Sequence, residues 1–209
     1  MIEPNYPPST ELRPTRPPSG ESKRLKQHVL ADGARITVRR VTPDDEPGLR
    51  AAFDQLSPDS RYHRFLGHIE SLSDWMWTHL SNDDGDRQVA LVAVDPSFNI
   101  IGECRYIRVP SDPARAELAV VVADAWQRRG VGKLLLGQLC ELARAAEIDT
   151  LVAHSFASNI GVARLLRRAG RVRSISLGEE AVLYLRIGSA LGGGEPPAQG
   201  RELQRRTEP

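Results

Sequence analysis

Gln127-Arg128-Arg129-Gly130-Val131-Gly132 sits between an apolar run and an amphipathic pattern. Upstream, Glu117-Leu118-Ala119-Val120-Val121-Val122 reads as a buried strand. Downstream, Val131, Leu135, Leu139, Leu142 and Ala146 recur at helical spacing. A glycine-punctuated turn feeding a helix start leaves several backbone N–H groups without partners, all pointing one way. Such a concavity takes phosphate oxygens, helped by the positive end of the helix dipole. The stretch predicts an α/β unit with an anion site, and a phosphorylated cofactor is its expected occupant.

Spacing separates the phosphate turns that share this chemistry. A Walker loop needs glycine where Gln127 stands and Ser or Thr after its lysine, but Leu134 follows Lys133. A dinucleotide fingerprint needs glycine at Leu135 and an acidic residue closing the next strand. The run from Thr150 to Ser155 closes instead on His154 and Ser155.

The loop resembles the (Gln/Arg)-x-x-Gly-x-(Gly/Ala) turn of the GNAT superfamily, the acyl-CoA-dependent N-acyltransferases. Context carries the resemblance: a strand before, a helix after, another strand, then a helix opening at Ser158-Asn159. In the family that second helix starts with Asn, continues through Ala-x-Leu-Tyr and ends at Gly-Phe. Asn159, Ala163, Leu165, Leu166, Gly170 and Arg171 are the matching residues. Leu166 stands where the family often has Tyr, and Arg171 where it often has Phe. The similarity runs from about residue 34 to 187 and is strongest from 116 to 170. It implies a single α/β (α+β) domain, a mixed central sheet of about six to seven strands flanked by helices.

The resemblance also assigns roles. Gln127, Arg128, Arg129, Gly130, Val131, Gly132 and Lys133 would hold the pyrophosphate of acetyl-CoA, with one of the two arginines simply solvated. The backbone around Val120, Val121 and Val122 would pair with the pantetheine arm and donate to the thioester carbonyl. Asn159 would contact that arm or serve only as a helix cap. No metal is expected, since the histidines His28, His63, His68, His79 and His154 lack ligand spacing.

Amine acetylation needs a neutral nucleophile, yet free lysine has a pKa near ~10.4. A base whose pKa is raised by poor solvation would help. Glu117, a carboxylate in an otherwise apolar strand, is the candidate catalytic residue. It resembles the glutamate of the histone acetyltransferase branch and the Ala-Glu-(Leu/Ile/Val)-Ala strand of bacterial protein lysine acetyltransferases. The other reading puts Glu117 at a solvent end, bridged to Arg105 or Arg115. Leu166 cannot supply the proton that a tyrosine would give the leaving thiolate, so Glu103, Cys104, Tyr106 and Ser155 are the possible replacements. Ser57-Pro58 followed by Arg61-Tyr62-His63-Arg64-Phe65 resembles the acceptor-side wall of the same bacterial enzymes. The expected acceptor is a protein lysine, with a small amine nearly as well supported and a degenerate acyl-CoA sensor as the alternative class.

Composition sets the remaining bounds. With 209 residues, 40% of them hydrophobic, one core is expected and a second full domain is not. A net charge of +1 argues against a dedicated nucleic-acid binder. Cys104 and Cys140 read as reduced core residues. No apolar run reaches the ~20 residues of a membrane span, and the N-terminus lacks a signal-peptide pattern, so a soluble cytoplasmic protein with no membrane partner is expected. Trp75, Met76, Trp77 and His79 read as core and dimer surface, which leaves room for a homodimer.

Pro4, Pro7, Pro8, Pro14, Pro17 and Pro18 crowd the start, and Gly192-Gly193-Gly194 and Pro196-Pro197 the end. These compositions predict disordered tails over 1–27 and 189–209 around a domain over 28–188. Within it, strands are expected at Ile36–Arg40, Val89–Val94, Ile100–Val109, Arg171–Leu177 and Ala181–Ile187. Helices are expected from Thr42-Pro43, around Asp59–Leu66 and over Leu72–Leu80.

Overall fold

The structure, a computed structural model, describes residues 26–188. The expected tails lie outside those residues, except Lys26 and Gln27, which are strand. Strands β1 (Lys26–Val29) and β2 (Arg35–Arg40) form a hairpin. A 3-10 turn, Pro43–Asp45, leads into α1 (Glu46–Asp54), followed by α2 (Pro58–Phe65) and α3 (Asp74–Leu80). Strands β3 (Gln88–Val94), β4 (Ile100–Val109) and β5 (Asp112–Val122) then run antiparallel. The rest is α4 (Val131–Ala145), β6 (Thr150–Phe156), α5 (Ile160–Ala169) and the hairpin of β7 (Arg171–Leu177) with β8 (Glu180–Arg186).

The sheet order is β1-β2-β3-β4-β5-β6-β8-β7, and β5 with β6 is its parallel pair. Eight strands thus replace the six to seven expected. The addition that matters is β1, whose Lys-Gln-His-Val sequence is mostly exposed and has no apolar alternation. It pairs along the edge with β2, and side-chain contacts of His28 with Gln138 at 2.9 Å and of Lys26 with Glu141 at 3.6 Å tie it to α4.

Each side of the sheet has its own core, and β3 shows how alternation divides them. Val89, Leu91 and Ala93 point to the α4 side, with Leu135, Leu136 and Leu139. Ala90, Val92 and Val94 point to the side of α1 and α3, with Leu49, Phe53 and Trp77. Trp77 is core, its ring edge-on to Phe53 at 5.6 Å, while Trp75 is exposed.

Local signals set the helix starts. Thr42 and Asp45 form a reciprocal capping box around Pro43, but that turn is 3-10, so α1 begins at Glu46. Ser57 caps α2 by accepting from Ser60 N–H, and Pro58 opens the helix, because its missing N–H is not needed there. Ser73 does the same for α3, whose start shifts from Leu72 to Asp74. Leu72 instead packs into the core. At the end of α5, a Cβ on Gly170 would come within 2.7 Å of the Arg186 carbonyl oxygen, so only glycine lets the chain turn there. Among the described residues, no helix is long and apolar enough to cross a membrane.

Candidate active site

The parallel pairing of β5 with β6 is short. It runs through Arg115–Thr150, Ala116–Leu151 and Glu117–Val152 and then stops. Strand β5 continues to Val122, held on its other edge by β4 as far as Gly102. Strand β6 continues to Phe156, held by β8 as far as Glu180. The two strands therefore splay into a wedge whose vertex is Glu117 and Val152. The facing edges of Leu118–Val122 and of 153–156 carry backbone groups that no described strand satisfies. Val120, Val121 and Val122 are correspondingly only half-buried, although they lie in the middle of the sheet.

The loop after β5 opens the same wedge. Arg128 has φ +60° and Gly130 φ +101°, a left-handed pair that turns the chain into α4. No side chain caps α4 at Gly130, and its first intrahelical bond is Leu134 N–H to the Gly130 carbonyl at 3.1 Å. Among the described residues, the N–H groups from Arg128 to Lys133 have no acceptor. This is the donor row that a pyrophosphate needs, at the positive end of a 15-residue helix. Arg129 is committed to the protein: its Nε donates to Asp32 at 2.6 Å and its guanidinium lies 4.0 Å over the Trp126 ring. Arg128 and Lys133 are exposed, so their charges are available to phosphates.

Gln127 braces this loop rather than reaching outward. Its Nε2 donates to the Val122 carbonyl at 3.1 Å, to Ser60 Oγ at 3.1 Å and to Asp124 at 3.3 Å. Asp124 also accepts from Ser57 N–H at 2.9 Å, Ser57 Oγ at 3.0 Å and Ser60 Oγ at 2.7 Å. Burial works to raise the Asp124 pKa, but the hydrogen bonds from Ser57 and Ser60 outweigh it and hold the carboxyl below its usual range. The start of α2 is thereby fastened to the loop between β5 and α4. Asp124, Ser57 and Ser60 were not singled out for this role, because the fastening spans more than sixty positions of sequence.

Glu117 lies on the side of α2, opposite the α4 core, and its side chain is exposed. Ala116 and Leu118 face the α4 core, so alternation turns Glu117 to the opposite side. The poorly solvated setting expected from its apolar neighbours is therefore absent. The alternative bridges are absent as well. Arg105 is held by Glu103 and by the carbonyls of His79 and Leu80, and Arg115 by Asp112 at 3.0 Å. Among the described residues Glu117 has no hydrogen-bond or ion-pair partner.

A buried charge cluster lies two strand positions away. Glu103 and Arg105, 4% and 2% exposed, form an ion pair on β4, and Arg64 of α2 donates to the same carboxylate at 3.3 Å. Burial alone would raise the Glu103 pKa, but the two guanidinium charges overcome it and keep the group ionised below the usual carboxylate range. Glu103 is thus not a proton donor. Arg64 and Glu103 line one wall of a cavity of about 50 Å³, otherwise formed by apolar groups including Phe53, Phe65, Trp77 and Val121.

The remaining candidates for a proton donor divide clearly. Leu166 is fully buried in the core under α5. Cys104 is buried in the same core and burial pushes its thiol well above the ordinary value. Tyr106 is 1% exposed, one strand away from the wedge, and burial raises its pKa too. Ser155 belongs to the wedge itself, in the part of β6 that β5 has left. Asn159 caps α5, its Oδ1 accepting from Val162 N–H at 3.1 Å.

The chain is similar to several known proteins. The model of the acetyltransferase (GNAT) domain matches residues 35–172. Acetyltransferase PA5475 of Pseudomonas aeruginosa is 30% identical over 118 residues, 55% of this chain and 63% of that protein. Acetyltransferase Pat of Mycolicibacterium smegmatis is 24% identical over 135 residues, 65% of this chain and 40% of that protein. The chain thus spans less than two thirds of either relative. The crystal structure of the GNAT domain of S. lividans PAT superposes with a TM-score of 0.71 at 28% identity, covering 78% of this chain and 96% of that one.

Proposed function

Because this chain belongs to the GNAT acetyltransferase family, we propose that it is an acetyl-CoA-dependent N-acetyltransferase that moves the acetyl group directly onto a primary amine, with a protein lysine as acceptor. The observation that carries this reading is the wedge between β5 and β6, continuous with the unpaired N–H row from Arg128 to Lys133. A strand edge followed by a phosphate cradle suits an extended amide chain ending in a pyrophosphate. The wedge edge at Val120–Val122 would pair with the pantetheine amides and donate to the thioester oxygen. The loop N–H groups, Arg128 and Lys133 would take the phosphates.

Glu117, at the vertex and on the side of α2, is the base in this reading. Exposed in the free protein, it would act directly or through one water once an acceptor covers it. The preference for a protein lysine rests on the Arg61-Tyr62-His63-Arg64-Phe65 wall and on the likeness to the S. lividans PAT domain. A chain with these partners would work in the cytoplasm, where acetyl-CoA and acceptor proteins meet.

The test is coenzyme A release from acetyl-CoA in the presence of lysine peptides or small amines. Glu117→Gln should lose that release and keep its affinity for acetyl-CoA. Full activity in the variant would remove Glu117 as base, and turnover confined to small amines would remove the protein acceptor. Leu166, buried where the family often has a tyrosine, favours a second reading, an acyl-CoA sensor. Binding without turnover on any acceptor would establish it.

A further inference from the structure

Ser155 is 3% exposed, and its buried Oγ finds no hydrogen-bond partner among the described residues. Leaving a buried hydroxyl unpaired is unfavourable, so in folded proteins such a group nearly always has a partner. Ser155 lies three residues beyond Val152, where the β5–β6 pairing ends, so it stands roughly 10 Å past the vertex. Continuing that register brings it level with Val120 on the opposite arm. Strand alternation puts its side chain on the same side as Leu151 and Ala153, which pack in the core beneath α4 and α5. Leu166 of α5 belongs to that same core and offers no donor. One side of the wedge thus holds an orphaned O–H at the depth of Val120.

Resting on the acetyl-transfer reading above, we infer that Ser155 is a catalytic residue whose hydroxyl donates to the coenzyme A sulfur as the thioester breaks. The amine lone pair forms the N–C bond to the carbonyl carbon, the C–S bond breaks, and its electron pair leaves on sulfur. Ser155 keeps its proton and holds the thiolate by a hydrogen bond. The proton that the amine loses leaves through Glu117 or water, and the thiolate takes its own proton from solvent. Strength is not demanded of this donor: a free thiol has a pKa near ~8.5, so the departing charge needs stabilisation rather than a strong acid. One such bond, made only as charge develops, contributes about tenfold or more to rate.

Two measurements test the assignment on the full chain, comparing Ser155→Ala with the unmodified protein. The first is turnover with a lysine peptide, alongside the calorimetric affinity for acetyl-CoA. The variant should lose at least about tenfold in kcat and keep its affinity within about threefold. The second is the pH at which the thiol of bound coenzyme A ionises, followed by thiolate absorbance. That midpoint should lie higher in the variant. The protein's own thiols stay out of this window, because burial holds Cys140 at about 11 and Cys104 well above its usual value. Unchanged kcat, a loss confined to affinity, or an unmoved thiol midpoint overturns the assignment. Loss of the fold in Ser155→Ala also overturns it, because an orphaned hydroxyl has no structural bond to lose. The thiol titration needs no turnover, so a protein that binds coenzyme A without transferring the acetyl group fails the functional reading while still testing Ser155.

Discussion

The ring of Tyr62 lies flat on the ring of Phe156, with centroids 4.5 Å apart and planes 4° from parallel. Tyr62 belongs to α2 and Phe156 ends β6, so the stack ties α2 to one arm of the wedge. Asp124, just past the other arm, holds Ser57 and Ser60 at the start of the same helix. Helix α2 is therefore a clasp across the splayed strands, on the side where Glu117 is exposed. His68 leans on Tyr62 at 4.7 Å and extends this surface.

A clasp on the Glu117 side should affect the acceptor and spare the cofactor. Tyr62→Ala removes a stack that contributes about 1 kcal/mol, so a loss of about 2–4 °C in Tm is expected for a chain of this size. The KM for the amine acceptor should rise about tenfold, roughly the weight of 1.4 kcal/mol, while the affinity for acetyl-CoA stays within about twofold. Calorimetry beside steady-state kinetics checks it. A larger loss of acetyl-CoA affinity than of acceptor KM would show that α2 serves the opposite side.

What the sequence made legible was local. The helix periodicity of α4 and the glycine-punctuated turn that feeds it both depend on a few neighbouring positions, and both are found, the turn with Gly130 at φ +101°. The helix start at Thr42-Pro43 is of the same kind, although its first turn is 3-10. Glu117 shows the limit. Its apolar neighbours Ala116 and Leu118 predicted a dry setting, but alternation sends them to the opposite side. Glu117 is thereby turned to the side of α2, and how far that helix covers it depends on contacts between distant segments. The strand β1 escaped notice because its pairing uses backbone groups, which leave no pattern in Lys-Gln-His-Val. The sequence offers Arg105 as a partner for Glu117, but it pairs with Glu103, two residues away on the same side of β4. The third member, Arg64, comes from α2.

Breaking that cluster should destabilise the fold and flatten its acid response. Glu103→Gln leaves two guanidinium groups facing a neutral amide in a buried site, a change of about 3 kcal/mol, or about 10 °C in Tm. The Glu103 pKa in the folded protein lies below its unfolded value near ~4.3. Its stabilisation is therefore complete above that value and is lost as the pH falls through the folded value. The Tm difference between wild type and Glu103→Gln should be constant above about pH 5 and shrink below about pH 4. Asp45 and Asp124 are present in both proteins, so subtracting the two Tm profiles isolates Glu103. A difference that persists undiminished into acid would mean Glu103 is not the group titrating.

The two glycines of the loop before α4 should behave differently, because different physics holds each one. Gly130 has φ +101°, and a Cβ there meets nothing within 4 Å, so its requirement is conformational. Gly132 is in the first turn of α4 with no positive φ, and a Cβ would lie 3.5 Å from Leu165 and 3.6 Å from Val122, ordinary contacts. Gly130→Ala forces an L side chain into the left-handed region, unfavourable by about 1–2 kcal/mol, and relief by rotating the peptide turns the donor row out of line. A loss of about 2–8 °C in Tm, with at least tenfold weaker acetyl-CoA binding, follows. Gly132→Ala, which favours the helix by up to about 1 kcal/mol, should hold or raise Tm and leave binding within about threefold. Calorimetry and thermal melts on the pair decide it. Weaker binding in Gly132→Ala than in Gly130→Ala would mean that the ligand approaches the backbone most closely at Gly132, and that the left-handed turn at Gly130 is not what aims the N–H groups.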